Sequence, residues 1–127
     1  MAETAPAETV YIVDPLLSER RRIMDVLATE AVALEGHDDA KQFLEQIPAT
    51  ASGCVVVPAD LPGIGLRALI DEITRRQLPL AIVVIGRDAE FETAVELMRS
   101  GAFDFLEHPF SDREVRAAVR RAIGADT

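Results

Sequence analysis

The sequence predicts an α/β domain in which five strands of a parallel sheet alternate with five helices, and three observations carry that expectation. Short β-branched runs recur between amphipathic stretches, those stretches repeat apolar residues at helical spacing, and glycine, serine and aspartate stand where helices should open or stop. Runs such as Cys54 to Val57 and Leu80 to Ile85 are apolar without alternation, as expected of strands buried on both faces. A chain of 127 residues with 49% hydrophobic composition supplies the core for one such domain and little more.

Taken in order, residues 1–8 are rich in Ala, Glu, Thr and Pro and read as a disordered lead before a domain over residues 9–124. The first strand is Val10 to Val13. The first helix, Leu16 to Ala28, has Ile23, Val26 and Leu27 as its core side, and the adjacent Arg20, Arg21 and Arg22 cannot all face inward. Ala31 to Leu34 is a weak second strand, and His37 reads as a solvated loop histidine before the Asp38-Asp39 opening of the second helix. That helix buries Ala40, Phe43, Leu44 and Ile47. Cys54 to Val57 forms the third strand, where Cys54 acts as a small buried hydrophobe. A stripe of Leu66, Leu69, Ile70 and Ile73 marks the third helix, Leu80 to Ile85 the fourth strand, and Phe91, Ala94, Val95 and Met98 the fourth helix, which Gly101 ends. Phe103 to Leu106 is a weak fifth strand. The last helix opens with the capping box Ser111-Asp112-Arg113-Glu114, buries Val115, Ala118, Val119 and Ala122, and stops at Gly124, leaving residues 125–127 as a stub.

Composition narrows the function. No apolar run approaches the length of a membrane span and the opening MAETAPAET has no basic or apolar signal segment, so the expectation is a cytoplasmic protein without membrane contact. One cysteine rules out a disulfide or zinc framework. A formal charge of -9 and an acidic isoelectric point near 4.6 oppose a direct nucleic-acid surface. Twelve of the thirteen basic residues are arginine, with Lys41 the exception, which reads as a compositional habit.

An open parallel sheet holds its ligand site at the carboxyl ends of the strands, here the loops after Val13, Val57, Ile85 and Leu106. In those loops Val10-Tyr11-Ile12-Val13-Asp14, Leu61-Pro62-Gly63, the run from Ser100 to Leu106 and Glu107-His108-Pro109-Phe110 together resemble a bacterial response-regulator receiver domain of the FixJ-like subgroup, over residues 9–123. The resemblance implies a flavodoxin-like (βα)5 fold, a five-stranded parallel sheet with helices on both faces. It also implies an apparatus of two acids after strand one, a phosphoaccepting aspartate after strand three, a hydroxyl after strand four and a lysine after strand five. The aspartate attacks phosphorus, the acids hold Mg²⁺, and hydroxyl and ammonium bind the phosphoryl oxygens.

Carried onto this chain, the first acid is Asp14, the second falls on Pro15, the phosphoacceptor on Pro58, the hydroxyl on Gly86 and the lysine on His108. One functional side chain of five remains, which describes a dismantled phosphorylation site and a pseudo-receiver. Mg²⁺ binding is expected to be weak or absent, with no other metal or cofactor. Asp60, two positions beyond Pro58, and Asp14 are the candidate surrogate carboxylates. Asp14 also has a simpler account as a helix cap with Pro15 at the first helical position, and a sharper one as an ion-pair partner of His108 near pH 6.5.

The resemblance places the family's aromatic switch on Phe105, and with Gly86 behind it the ring could sit inward or outward. Opposite charges on the fourth helix (Glu90, Glu92, Glu96) and the last (Arg113, Arg116, Arg120, Arg121) read either as two solvated faces or as a contact surface with the fifth strand suited to a homodimer. The expected function is a non-enzymatic, phosphorylation-independent interaction module in two-component signalling. Its partner would be a histidine kinase, another receiver or an effector domain. The rival expectations are a small-ligand site in the vacated acidic pocket and a phospho-receiver using a surrogate carboxylate. A further alternative is an amino-terminal piece that lacks its output domain.

Overall fold

The computed structural model describes residues 8–87 and 91–124, the side chains of Phe91 and Glu92 excepted. The apolar runs become strands β1 (Thr9–Val13), β2 (Ala33–His37), β3 (Gly53–Pro58), β4 (Leu80–Gly86) and β5 (Asp104–Glu107), all parallel, in the order β2-β1-β3-β4-β5. Between them lie α1 (Leu17–Leu27), α2 (Ala40–Gln46), α3 (Gly65–Arg75), α4 (Phe91–Ser100) and α5 (Asp112–Gly124). The chain order changes direction across β1 and β3, and the carboxyl ends of these strands and of β4 open a crevice there.

Strand alternation divides the core into two layers. Tyr11, Val13, Val55, Val57, Ile82 and Val84 meet α2 and α3, whereas Val10, Ile12, Cys54, Val56, Val83 and Ile85 meet α1 and α5. Burial pushes the Cys54 thiol up to about 12, so it is inert apolar filling. At the amino end of β3, Gly53 has φ +129°, and a Cβ there would stand 2.1 Å from the Thr9 carbonyl oxygen, so only glycine lets β3 approach β1 this closely.

Several expectations move. β2 begins two residues later than expected and takes in His37, which is therefore no loop histidine. Its side chain is largely buried, its ring meets Phe43 edge-on with centroids 5.3 Å apart, and Nε2 lies 3.1 Å from Glu35 Oε1. β5 begins one residue later than expected. In α4, Leu97 packs on the core while Met98 is 42% exposed, so the inward position falls on Leu97 and not on the expected Met98; Ala94 and Val95 are half-buried, and the side chain of Phe91 lies outside the described residues. Gly101 closes α4 at φ +123°, with the amide of Ala102 donating to the Leu97 carbonyl. The capping box of α5 forms as expected: the Ser111 hydroxyl accepts from the Glu114 amide, and Glu114 Oε1 accepts from the Ser111 amide. Residues 1–7 of the expected lead and the stub lie outside the described residues, but Glu8 is described and accepts a hydrogen bond from the Ser52 hydroxyl at 2.8 Å. Among the described residues no helix is long and apolar enough to cross a membrane.

Candidate functional site

Five positions from four separate loops line one cleft of about 400 Å³ at the carboxyl ends of the strands. Asp14 follows β1, Pro58 ends β3, Asp60 lies two residues on, Gly86 ends β4 and His108 follows β5. Strand registry holds them in place. Pro58 stands beside Ile85, the amide of Ala59 donates to the Ile85 carbonyl at 2.8 Å, and the amide of His108 donates to the Gly86 carbonyl at 2.8 Å. Pro58 lies at the last position of its strand, where its missing N–H removes no bond that the ladder needs.

Asp14 is the only buried charged side chain among the described residues, 8% exposed. Its Oδ1 accepts from the Leu16 amide at 2.9 Å, an Asx-type turn; α1 starts only at Leu17, so Asp14 is not the helix cap and Pro15 is not the first helical residue. Burial raises the Asp14 carboxyl above its ordinary range, and the Leu16 amide offsets part of that rise. The Arg20 guanidinium donates to the Asp14 backbone carbonyl, and the Asp60 side chain stays at the exposed rim.

The expected Asp14–His108 ion pair does not form. His108 Nε2 instead lies 3.6 Å from Glu19 Oε2 of α1, and Arg87 approaches the same oxygen at 3.7 Å. Burial first and the Arg87 charge second lower the His108 imidazole below its ordinary value, against the pull of Glu19. The His108 ring also packs on Phe110 with centroids 4.5 Å apart. Arg22 covers the other ring at 4.7 Å and donates to the Phe110 carbonyl, which ties the loop after β5 to α1. The peptide bond between His108 and Pro109 is cis.

Three site residues, Glu19, Arg20 and Arg87, were not singled out in the sequence. Arg87 directly follows Gly86, and Glu19 and Arg20 lie in the first turn of α1, so adjacency to loops already under suspicion was the available signal. The three consecutive arginines divide as their positions demand: Arg20 turns onto the Asp14 carbonyl beside Gly36 of β2, Arg22 onto Phe110, and Arg21 is exposed.

Magnesium, the ion the receiver resemblance implies, does not fit this donor set. Pro15 and Pro58 offer no side-chain oxygen, one oxygen of Asp14 is engaged by an amide, and Arg20 already sits on the Asp14 carbonyl. Among the described residues no three His, Cys, Asp or Glu side chains are grouped to hold a metal ion.

The expected charged face splits apart. Arg120 forms two hydrogen bonds to Glu30 beyond α1, at 2.8 and 3.0 Å, and Arg116 donates to the Val26 carbonyl of α1, so both lie on the α1 side of α5. Arg121 pairs with Asp104 of β5 at 2.7 Å, and Arg113 is exposed without an ion-pair or hydrogen-bond partner among the described residues. Glu96 of α4 lies 3.8 Å from Arg67 of α3; Glu90 and the side chain of Glu92 lie outside the described residues. Phe105 of β5 is half-buried and packs inward on the layer that faces α2 and α3.

A parallel five-stranded (βα)5 sheet of this order, with a cleft at its carboxyl ends, defines a flavodoxin-like domain. Residues 10–120 match the response regulator receiver domain family, and the chain belongs to that family. It is 33% identical over 124 residues to the transcriptional regulatory protein FixJ of Azorhizobium caulinodans, covering 98% of this chain and 57% of that protein. It is 32% identical to FixJ of Bradyrhizobium diazoefficiens, covering 90% and 56%. Among solved structures, full-length FixJ from B. japonicum superposes with a TM-score of 0.84 at 30% identity, covering 94% of this chain and 59% of that one. The receiver domain of NtrX from Brucella abortus superposes with a TM-score of 0.82 at 30% identity, covering 91% and 98%. The chain thus spans little more than half the length of the FixJ proteins it matches.

Proposed function

We propose that this receiver domain is a pseudo-receiver: a cytoplasmic interaction module that works without phosphorylation and without catalysis of its own. The observation that carries this reading is Pro58, a residue with no nucleophilic atom, at the end of β3 on the floor of the cleft. The neighbouring carboxylates are poor substitutes, because Asp14 is buried and held by the Leu16 amide and Asp60 stands at the rim. The partner is a protein of the same signalling class: a histidine kinase, a second receiver or an effector domain. Regulation then follows partner concentration. Exposed Leu16, which lines the cleft, and its neighbour Leu17, 57% and 51% exposed, give such a partner apolar area to cover. Homodimerisation through α4, β5 and α5 has weaker support, since Arg116 and Arg120 are committed to the α1 side.

The test is intact-mass spectrometry after incubation with acetyl phosphate and Mg²⁺. No acid-stable or acid-labile phosphoryl adduct is expected. A stoichiometric, acid-labile adduct that disappears in Asp60→Asn or Asp14→Asn would establish a surrogate phosphoacceptor and end this reading.

A second reading, carried by the cleft volume and its mixed charges, is that a small molecule binds between Asp14, Asp60 and His108. A thermal-shift screen separates the two, because a ligand of the folded state raises the midpoint in proportion to its affinity.

A further inference from the structure

One carboxylate oxygen stands between two side chains that arrive from different loops. Glu19 Oε2, in the first turn of α1, lies 3.6 Å from His108 Nε2 after β5 and 3.7 Å from Arg87 Nη2 after β4. Both separations exceed hydrogen-bond length, so neither side chain has captured the oxygen. All three groups line the cleft, but they differ in freedom: the side chains of Glu19 and His108 are each 16% exposed, whereas that of Arg87 is 66% exposed.

The surroundings leave the oxygen to these two. Arg22, three residues on along α1, is engaged by the Phe110 carbonyl and ring and has Asp112 at 4.0 Å. Arg20 is turned to the Asp14 carbonyl. From the loop after β1 the Asp14 carboxyl acts on the imidazole only through its charge, since it accepts from the Leu16 amide, and from the loop after β3 Asp60 stays at the exposed rim. While His108 is neutral, the charge that answers Glu19 is Arg87. Once His108 is protonated, two like charges compete for one oxygen, and their repulsion displaces the one that can move. That one is Arg87, because the His108 ring is packed on Phe110 and its amide is fixed to the Gly86 carbonyl.

We propose that Glu19 is a clasp shared by Arg87 and His108: with the imidazole neutral it ties Arg87 across the cleft mouth, and with the imidazole protonated it passes to His108 and lets Arg87 go. Arg87 directly follows β4, so its release opens the side of the cleft from which the chain leaves toward α4. Burial and the Arg87 charge hold the imidazole below its ordinary value, which puts the exchange on the acid side of neutrality. The exchange needs neither phosphate nor a partner, so it stands or falls independently of the pseudo-receiver reading.

The experiment is NMR on the whole chain, following the His108 ring ¹³Cε1 signal and the ¹⁵Nε relaxation of Arg87 from about pH 7.5 to about pH 5, a range that spans the ordinary histidine value. The Arg87 signal is assigned by its loss in Arg87→Gln. In the wild type, Arg87 Nε is expected to be ordered near neutrality and to become mobile with the same midpoint as the His108 titration. Glu19→Gln should leave Arg87 mobile at every pH and lower the His108 midpoint, Arg87→Gln should raise that midpoint, and His108→Gln should keep Arg87 ordered throughout. A wild-type Arg87 that is already mobile near neutrality, or that stays ordered through the His108 titration, overturns the clasp. So does a pH-dependent release of Arg87 that persists in His108→Gln, or a His108 midpoint that neither Glu19→Gln nor Arg87→Gln moves.

Discussion

The interior of the sheet and its carboxyl edge follow different rules. In the interior, β3 and β4 run as Val55, Val56 and Val57 beside Ile82, Val83 and Val84, buried on both faces, and each side chain has its own layer to fill. At the edge, within a few ångströms of those strands, stand Pro15, Pro58 and Gly86, two of which cannot donate a backbone hydrogen bond and none of which has a functional side chain. The edge tolerates the two prolines because strand ends and loops need few ladder bonds, whereas the interior asks for volume and shape. The receiver fold can therefore stand with quite different residues at its carboxyl edge.

Substitutions in the two regions should separate sharply. Phe43→Ala, which empties the centre of the layer beneath α2 and α3, should cost about 3–5 kcal/mol in urea denaturation. Gly53→Ala should cost about 3 kcal/mol, from the strained φ and from overlap with a backbone oxygen that cannot rotate away. A loss below 1 kcal/mol would mean that β1 and β3 can part more easily than this packing allows. Pro58→Ala should lower stability by only about 0.5–1 kcal/mol, chiefly by loosening the unfolded chain.

The smallest effects are pH-dependent and opposite in sign. His108 has a lowered value when folded, so below 6.5 the unfolded chain takes up the proton first and stability falls as pH falls; His108→Gln should flatten that decline in urea melts. Asp14 has a raised value when folded, so the folded chain holds its proton longer and stability falls as pH rises from 3.8 through the folded value. Asp14→Asn, which can still accept from the Leu16 amide, should therefore be more stable than the wild type at neutral pH and lose that advantage in acid. Equal pH profiles for the variants and the wild type would show both groups to be as solvated as in the unfolded chain.

Legibility in the sequence followed the same division. β1, β3 and β4 were plain as short unbroken apolar runs, as strands buried on both faces must be, and the stripe of Leu66, Leu69, Ile70 and Ile73 because one buried helix face leaves a periodic mark. β2 was misplaced because this edge strand is half exposed and reads Ala-Leu-Glu-Gly-His, a composition that resembles a loop. In α4 the inward position fell on Leu97 and not on Met98, because the two are equally apolar and only tertiary contact decides which one faces inward. In the cleft, Asp14, Pro58, Asp60, Gly86 and His108 were located through the family resemblance. The pairing of His108 with Glu19 was not, since it depends on how α1 is tilted over the strand ends and leaves no periodic trace. The inward position of Phe105 was open for the same reason, since the space above Gly86 depends on how β4 and β5 pack.

The most direct test of the central claim is an amide NMR titration with Mg²⁺ followed by beryllofluoride, which forms a stable analogue of an aspartyl phosphate. The account predicts that the amides of Asp14, Asp60, Gly86 and His108 stay in place throughout and that Phe105 does not respond. Saturable shifts at those four amides, accompanied by movement of Phe105, would show a working phosphate switch and contradict it.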